Sequence, residues 1–215
     1  MGDMSDDTPR AKLLHKSQVL LAERGRLSDL TLRKLAEHLG TSHRMLIHHF
    51  GSRDGLIRSL IAYRQRSLGE DRQEMLASMR DEGKEADPRA VVWLLVRPLA
   101  NSIAAGEMFV PFLARLSEDP RARVDYWPDH LEDEWTQERL EELVDAALQD
   151  LPERIRRGRT FQLYIGLISV LAAAARSGRG MSEAQLHNYV DTWVGMLTAP
   201  VSYETRALMS ESPND

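Results

Sequence analysis

Residues 41–50, TSHRMLIHHF, place three histidines, an arginine and two hydroxyl side chains within ten positions. Three chemistries could use such a set. Histidines ligate metals, but neighbouring helical positions point about 100° apart, so His48 and His49 do not share an ion. His43 and His48 also leave any single helical face, and the next carboxylate after them is Asp54. Catalysis would need a nucleophile in a strained turn or a phosphate loop. No such turn is recognisable, and GKEADP at 83–88 lacks the remainder of a Walker motif. The third chemistry is nucleic-acid recognition. Short hydroxyls at a helix start suit phosphates, arginine pairs with guanine edges, and methionine touches a thymine methyl.

Recognition requires elements that hold these residues outward, and the flanking sequence supplies them. Thr8-Pro9 reads as a helix cap and first position, followed by Ala11, Leu13, Leu14, Val19, Leu20 and Leu21 and closed by Gly25. A second helix over 32–39 has Leu32, Leu35, Ala36 and Leu39 on one face, and Gly40 ends it. Ser42 caps a short third helix over about 43–49, and Phe50-Gly51 breaks it. Ser52 caps a fourth, which starts at Arg53 and reaches about Met79. Leu35, Leu39, Leu46 and Phe50 are spaced to fill one small core with the first helix, the arrangement of a helix-turn-helix. Thr41, Ser42, His43, Arg44, Met45, His48 and His49 then remain outward.

Charge follows the same division. The net charge of −5 argues against a nucleic-acid partner, but residues 1–66 hold 12 Lys+Arg against 7 Asp+Glu, and the remainder holds 16 against 26. A basic end on an acidic body points to an anionic partner at that end. The chain has no cysteine, which excludes disulfides and thiolate chemistry and fits a reducing cytoplasm. The start, MGDMSDDTPR, lacks the apolar core of a signal peptide, and the longest apolar run, 170–175, is too short to cross a bilayer. A cytoplasmic protein with no membrane partner is expected.

The segment LTLRKLAEHLGTSHRMLIHHFGSRDGLI resembles the DNA-binding segment of the tetracycline-repressor (TetR) family of bacterial regulators. The resemblance covers about residues 10–60 and rests on Gly40, Leu46, Phe50 and the SRDGL helix start, with LLAERG before it. It implies that Thr31 and Arg33, at the start of the second helix, approach DNA. Thr41, Ser42, His43, Arg44 and Met45 are implicated in base and phosphate contacts, and His49 and Arg53 in phosphate contacts. The chain departs from the family at Ile47, where relatives commonly carry a backbone-contacting tyrosine.

The body reads as further helices. Pro88 opens one through Trp93 to about Ala105, and others cover about 107–116, an acidic stretch to Leu148, 153–176 and 182–197. The acidic run at 129–142 reads as a solvated face. Leu186, Tyr189, Val190, Trp193, Val194 and Leu197 keep helical spacing, and 161–175 is apolar nearly all round. The family resemblance implies dimerisation through these last two helices, with Leu167, Leu171, Ala174, Leu186, Tyr189, Val190, Trp193 and Leu197 as the interface. It also implies an effector cavity in the body, for which Met75, Met79, Trp93, Phe109, Phe112, Tyr126, Trp127, Trp135 and Tyr164 are the candidate lining.

The resulting expectation is an all-α protein: a helix-turn-helix DNA-binding domain over 1–52, a larger helical ligand-binding and dimerisation domain over 53–203, and a polar, frayed tail over 204–215. It is a homodimeric, ligand-responsive repressor of a near-palindromic operator, with a small-molecule effector, no cofactor and no metal. Two rivals stand beside it, an all-helical enzyme using the aromatic body and a helical interaction module. Convergent titratable groups in the body would favour the enzyme. The outward Arg-His-Ser surface on a capped helix disfavours the module.

Overall fold

The computed structural model describes residues 8–23, 30–118, 126, 137–178 and 180–211, which form ten helices and, among the described residues, no strand. Their starts follow local rules. The Thr8 hydroxyl accepts from the Ala11 amide at 3.1 Å and opens α1 (Pro9–Glu23). Thr31 does the same for α2 (Leu32–His38), accepting from Lys34 at 3.3 Å. Ser42 caps α3 (His43–Phe50) through the Met45 amide at 3.0 Å, and Ser52 caps α4 (Arg53–Asp81) through Gly55 at 2.9 Å. Each hydroxyl satisfies a backbone donor that the first turn leaves open. Gly40 and Gly51 carry φ of +63° and +72°, conformations that side-chain-bearing residues rarely adopt, and the chain reverses there.

The body continues with α5 (Pro88–Ala104), α6 (Phe109–Leu116), α7 (Gln137–Ala147), α8 (Glu153–Arg176) and α9 (Glu183–Thr198). Asp87 caps α5 ahead of Pro88, and Ser182 and Gln185 form a reciprocal capping box at α9. α4 packs against α1, α3 and α5. α6 packs against both α1 and α8, so it joins the N-terminal helices to the body. Phe109 and Phe112 of α6 are fully buried with ring centroids 6.1 Å apart. One cluster of buried side chains runs from Leu14 through to Leu197.

One expectation is corrected by this fold. The chain after 203 is not a frayed tail throughout: α10 (Tyr203–Glu211) forms there, with the Ser202 hydroxyl accepting from the Thr205 amide at 3.1 Å. Its Tyr203 and Leu208 are exposed. Most of the candidate dimer residues are covered within one protomer. Leu167, Leu171, Leu186, Val190, Trp193 and Leu197 are buried inside one protomer, while Ala174 and Tyr189 are half-buried. The apolar stripe of each helix has been used on its own chain, against α5, α6 and each other.

What α8 leaves uncovered is a different strip. Phe161 is 64% exposed and Ile165 42%, one helical turn apart. By length and composition α8 would also pass as a membrane-crossing helix, with 22% of its apolar window buried in the protein. Leu163, Leu167 and Leu171 of its other side, and Ala172 further along the helix, are seated in the protomer core.

Candidate nucleic-acid interface

The geometry of residues 31–53 begins with what is buried. Leu35, Ala36, Leu39, Leu46 and Phe50 are all under water-excluding cover, with Leu35 and Leu46 fully buried. A helix fixed by two side chains on one face must turn its other faces outward. Ser42, His43, Arg44, Met45, Ile47 and His48 are accordingly exposed, and Thr41 and His49 are half-buried. Thr31 and Arg33 are exposed at the start of α2. The N-terminal turn of α3 thus presents a hydroxyl, an imidazole, a guanidinium and a thioether side by side.

Ile47 is 45% exposed and Met45 44%. Two apolar residues left in water on an otherwise polar helix are suited to contact rather than to stability. Neither Ile47 nor Met45 can donate a hydrogen bond to a phosphate through its side chain. Among the described residues no three histidines or carboxylates gather as a metal-binding group. His48 and His49 meet edge to face at 5.2 Å, and His49 leans on Phe50 at 5.9 Å.

The junction to α4 is tight. A Cβ placed on Gly55 would meet the Phe50 carbonyl oxygen at 2.0 Å, so the backbone of α4 passes against the end of α3 with no room for a side chain. Arg10 of α1 lies over the Phe50 ring, 5.4 Å from its centroid. Both features escaped sequence reasoning. A glycine in the first turn of a helix is the signal that could have exposed the first. The second joins positions far apart in sequence, and no spacing rule reaches it.

Arg53 does not point freely to solvent. Its Nη2 donates to the Tyr126 hydroxyl at 2.7 Å, and its Nε donates to Asp54 Oδ1 at 3.0 Å. The Tyr126 hydroxyl in turn lies 3.3 Å from Asp54 Oδ1 as donor. Burial works to lower the Arg53 pKa, but the Asp54 hydrogen bond and the charges of Tyr126 and Asp54 raise it overall. Tyr126 is pushed up by burial, with the Arg53 charge opposing. The Tyr126 hydroxyl is thus bonded to the first turn of α4.

The other supposed cavity residues are scattered. Phe109, Phe112 and Met79 are core, and Met75, Trp93 and Tyr164 are half-buried. Trp93 packs edge-on to His187 at 4.8 Å and lies under Arg97 at 4.5 Å, between α5 and α9. Trp127 and Trp135 lie outside the described residues. A cavity of about 220 Å³ lies between α4, α5 and the turn into α6. Its wall mixes Leu68, Pro98 and Phe109 with the polar side chains of Arg64, Asp71 and Glu107.

Arg64 connects this cavity to the N-terminal helices. Its Nη1 is 2.5 Å from Glu107 Oε1, and its Nε donates to Gln18 Oε1 of α1 at 3.0 Å. Ser102 donates to the other Glu107 oxygen at 2.6 Å. Arg115 of α6 donates to the Leu21 carbonyl of α1 at 2.8 Å. Buried charges persist when such bonds satisfy them, and removing one partner is costly.

With this geometry in view, residues 13–60 match the family model for bacterial regulatory proteins of the tetR family. The match spans α2, α3 and their flanking helices and ends within α4. No curated protein matches the chain.

Proposed function

We propose that this DNA-binding transcriptional regulator, a member of the tetR family through residues 13–60, is a homodimeric repressor released from its operator by a small-molecule effector. The carrying observation is the pairing of an outward α3 with a cavity whose wall is bonded to α1. Arg64 spans Glu107 in that wall and Gln18 in α1. An occupant that competes for Glu107 or crowds Arg64 loosens a bond to the DNA-facing unit. The effector must favour one arrangement over the other, because equal affinity for both shifts nothing. Regulators of this family are generally non-enzymatic, and no reaction is assigned to the chain. Its place of work is the cytoplasm, with the DNA.

Thr41, Ser42, His43, Arg44 and Met45 carry the contacts to base edges and phosphates in this reading, with Thr31, Arg33, Ile47, His48 and His49 around them. One short helix reads few base pairs, so a twofold dimer reading two half-sites supplies the specificity. Phe161 and Ile165 on α8 support the dimer as the strip that a second copy would cover.

Selection of bound sequences from a random duplex pool tests the reading. A near-palindromic site bound tightly in the absence of small molecules is the expected result. Failure to enrich any sequence at low salt would sink it. Sedimentation equilibrium should give twice the 24.4 kDa chain mass, and a monomer at micromolar concentration would remove the dimer.

A further inference from the structure

The residue expected to grip a phosphate at the start of α4 is engaged elsewhere. Arg53 bonds through Nη2 to Tyr126 and through Nε to Asp54, and Nη2 also lies 2.9 Å from Asp54 Oδ1. Its side chain is only 26% exposed. Tyr126 lies 73 positions away in sequence and is itself 5% exposed. Asp54 is the acidic residue of the first turn of α4, where the helix end favours negative charge. The guanidinium is thus neutralised within the chain by the Asp54 carboxylate and bonded as well to the hydroxyl of a buried tyrosine.

We infer that Tyr126 and Asp54 hold Arg53 against the body, making Arg53 a positioning residue for α3 instead of a phosphate contact. The inference rests on the DNA-binding reading and adds to it. Arg53 begins α4 two residues after Gly51, which ends α3. Gly55 keeps the same turn pressed to the Phe50 carbonyl, so there is little play between α3 and α4. The Tyr126 hydroxyl is therefore a direct handle from the body on the orientation of the DNA-facing helix. It is a second connection, separate from the one Arg64 makes to α1. Releasing Arg53 has two consequences. The body loses its hold on the start of α4, and a cation becomes available to the DNA backbone.

Salt dependence of DNA binding separates the two roles, because each phosphate neutralised adds about 0.9 to the slope of log affinity against log salt. The probes are a labelled random-sequence duplex and the duplex selected from a random pool. Circular dichroism checks that each variant is folded. Arg53→Gln alone should leave the slope unchanged on both duplexes. Asp54→Asn with Tyr126→Phe should steepen it by about 0.9 for each protomer bound. Adding Arg53→Gln to that pair should return it to the wild-type value, which removes the effect of deleting the Asp54 charge from the comparison. A slope that falls by about 0.9 per bound protomer with Arg53→Gln alone would show a phosphate contact and overturn the inference. An unchanged slope in the Asp54 and Tyr126 double variant would overturn it as well. Wild-type protein that binds neither duplex overturns the DNA-binding premise, and the inference with it.

Discussion

α3 and α8 both leave apolar side chains in water, and they do so differently. On α3, Met45 and Ile47 are exposed among Ser42, His43, Arg44 and His48, so hydrophobic and polar groups alternate over one small surface. On α8, Phe161 and Ile165 stand one turn apart and continue toward the half-buried Ile168. Mixed chemistry suits a groove in which phosphates, base edges and thymine methyls alternate. An apolar stripe at helical spacing suits another helix. The opposite faces of both helices are spent in the same way, on their own core. The comparison therefore separates two binding surfaces by composition, although each helix is amphipathic.

The comparison breaks most severely if the α8 strip is dispensable. Phe161→Asp with Ile165→Asp should convert the proposed dimer to monomer. Each buried side chain of this size contributes about 1.5–3 kcal/mol, and the new charges would face each other across the twofold axis. Sedimentation velocity reads the change, and an unaltered dimer would assign the interface elsewhere. Next in size is Leu46→Ala, which empties a fully buried position under α3. It should cost about 2–5 kcal/mol of folding stability, seen as a lowered denaturation midpoint together with weaker DNA binding.

Arg44→Ala should sharpen the contrast without touching the fold. A lost bidentate base contact costs about 1–3 kcal/mol and relaxes preference at the matching base pair. Equal weakening on selected and random duplexes would remove Arg44 from base readout. The smallest effects concern the ends and edge of α3. Ser42→Ala removes the hydroxyl that accepts from Met45 and should cost about 1 kcal/mol of stability. Ile47→Tyr restores a donor on an exposed position and should tighten binding by about 0.5–1.5 kcal/mol on random and selected DNA alike. No gain would mean that the α3 edge at Ile47 stands away from the backbone.

Much of the N-terminal unit is legible from sequence because its rules are short-range. Thr8, Thr31, Ser42 and Ser52 each bond an amide three positions on, and Gly40 and Gly51 each have the positive φ their place demands. Leu35, Leu39, Leu46 and Phe50 were readable as a core since helical period alone puts them together. The helix spans of the body were readable for the same reason. The α10 helix was missed because YETRALMSE has scattered apolar residues and a weak stripe, although Ser202 caps it in the ordinary way. The aromatic residues of the body were harder to place from sequence for another reason. Aromatic type says that a residue prefers cover, and Phe112, Trp93 and Tyr126 each found different cover.

Sequence by itself determined where the helices of the N-terminal unit begin and end and which stripe of each avoids water, because caps, turns and periodicity act over a few residues. It also determined the chemistry offered by α3, once its buried face was known. Only the tertiary structure decided which stripe meets which. Leu167, Leu186 and Trp193 have the spacing of an interface, yet they are consumed within the protomer, and Phe161 and Ile165 are what remains. Arg53 has the position of a phosphate contact, yet a tyrosine distant in sequence holds it. Such pairings depend on how whole helices cross, and every apolar stripe is compatible with several neighbours. Packing chooses among them by burying the most surface while leaving each buried charge, as with Arg64 between Glu107 and Gln18, bonded to a partner.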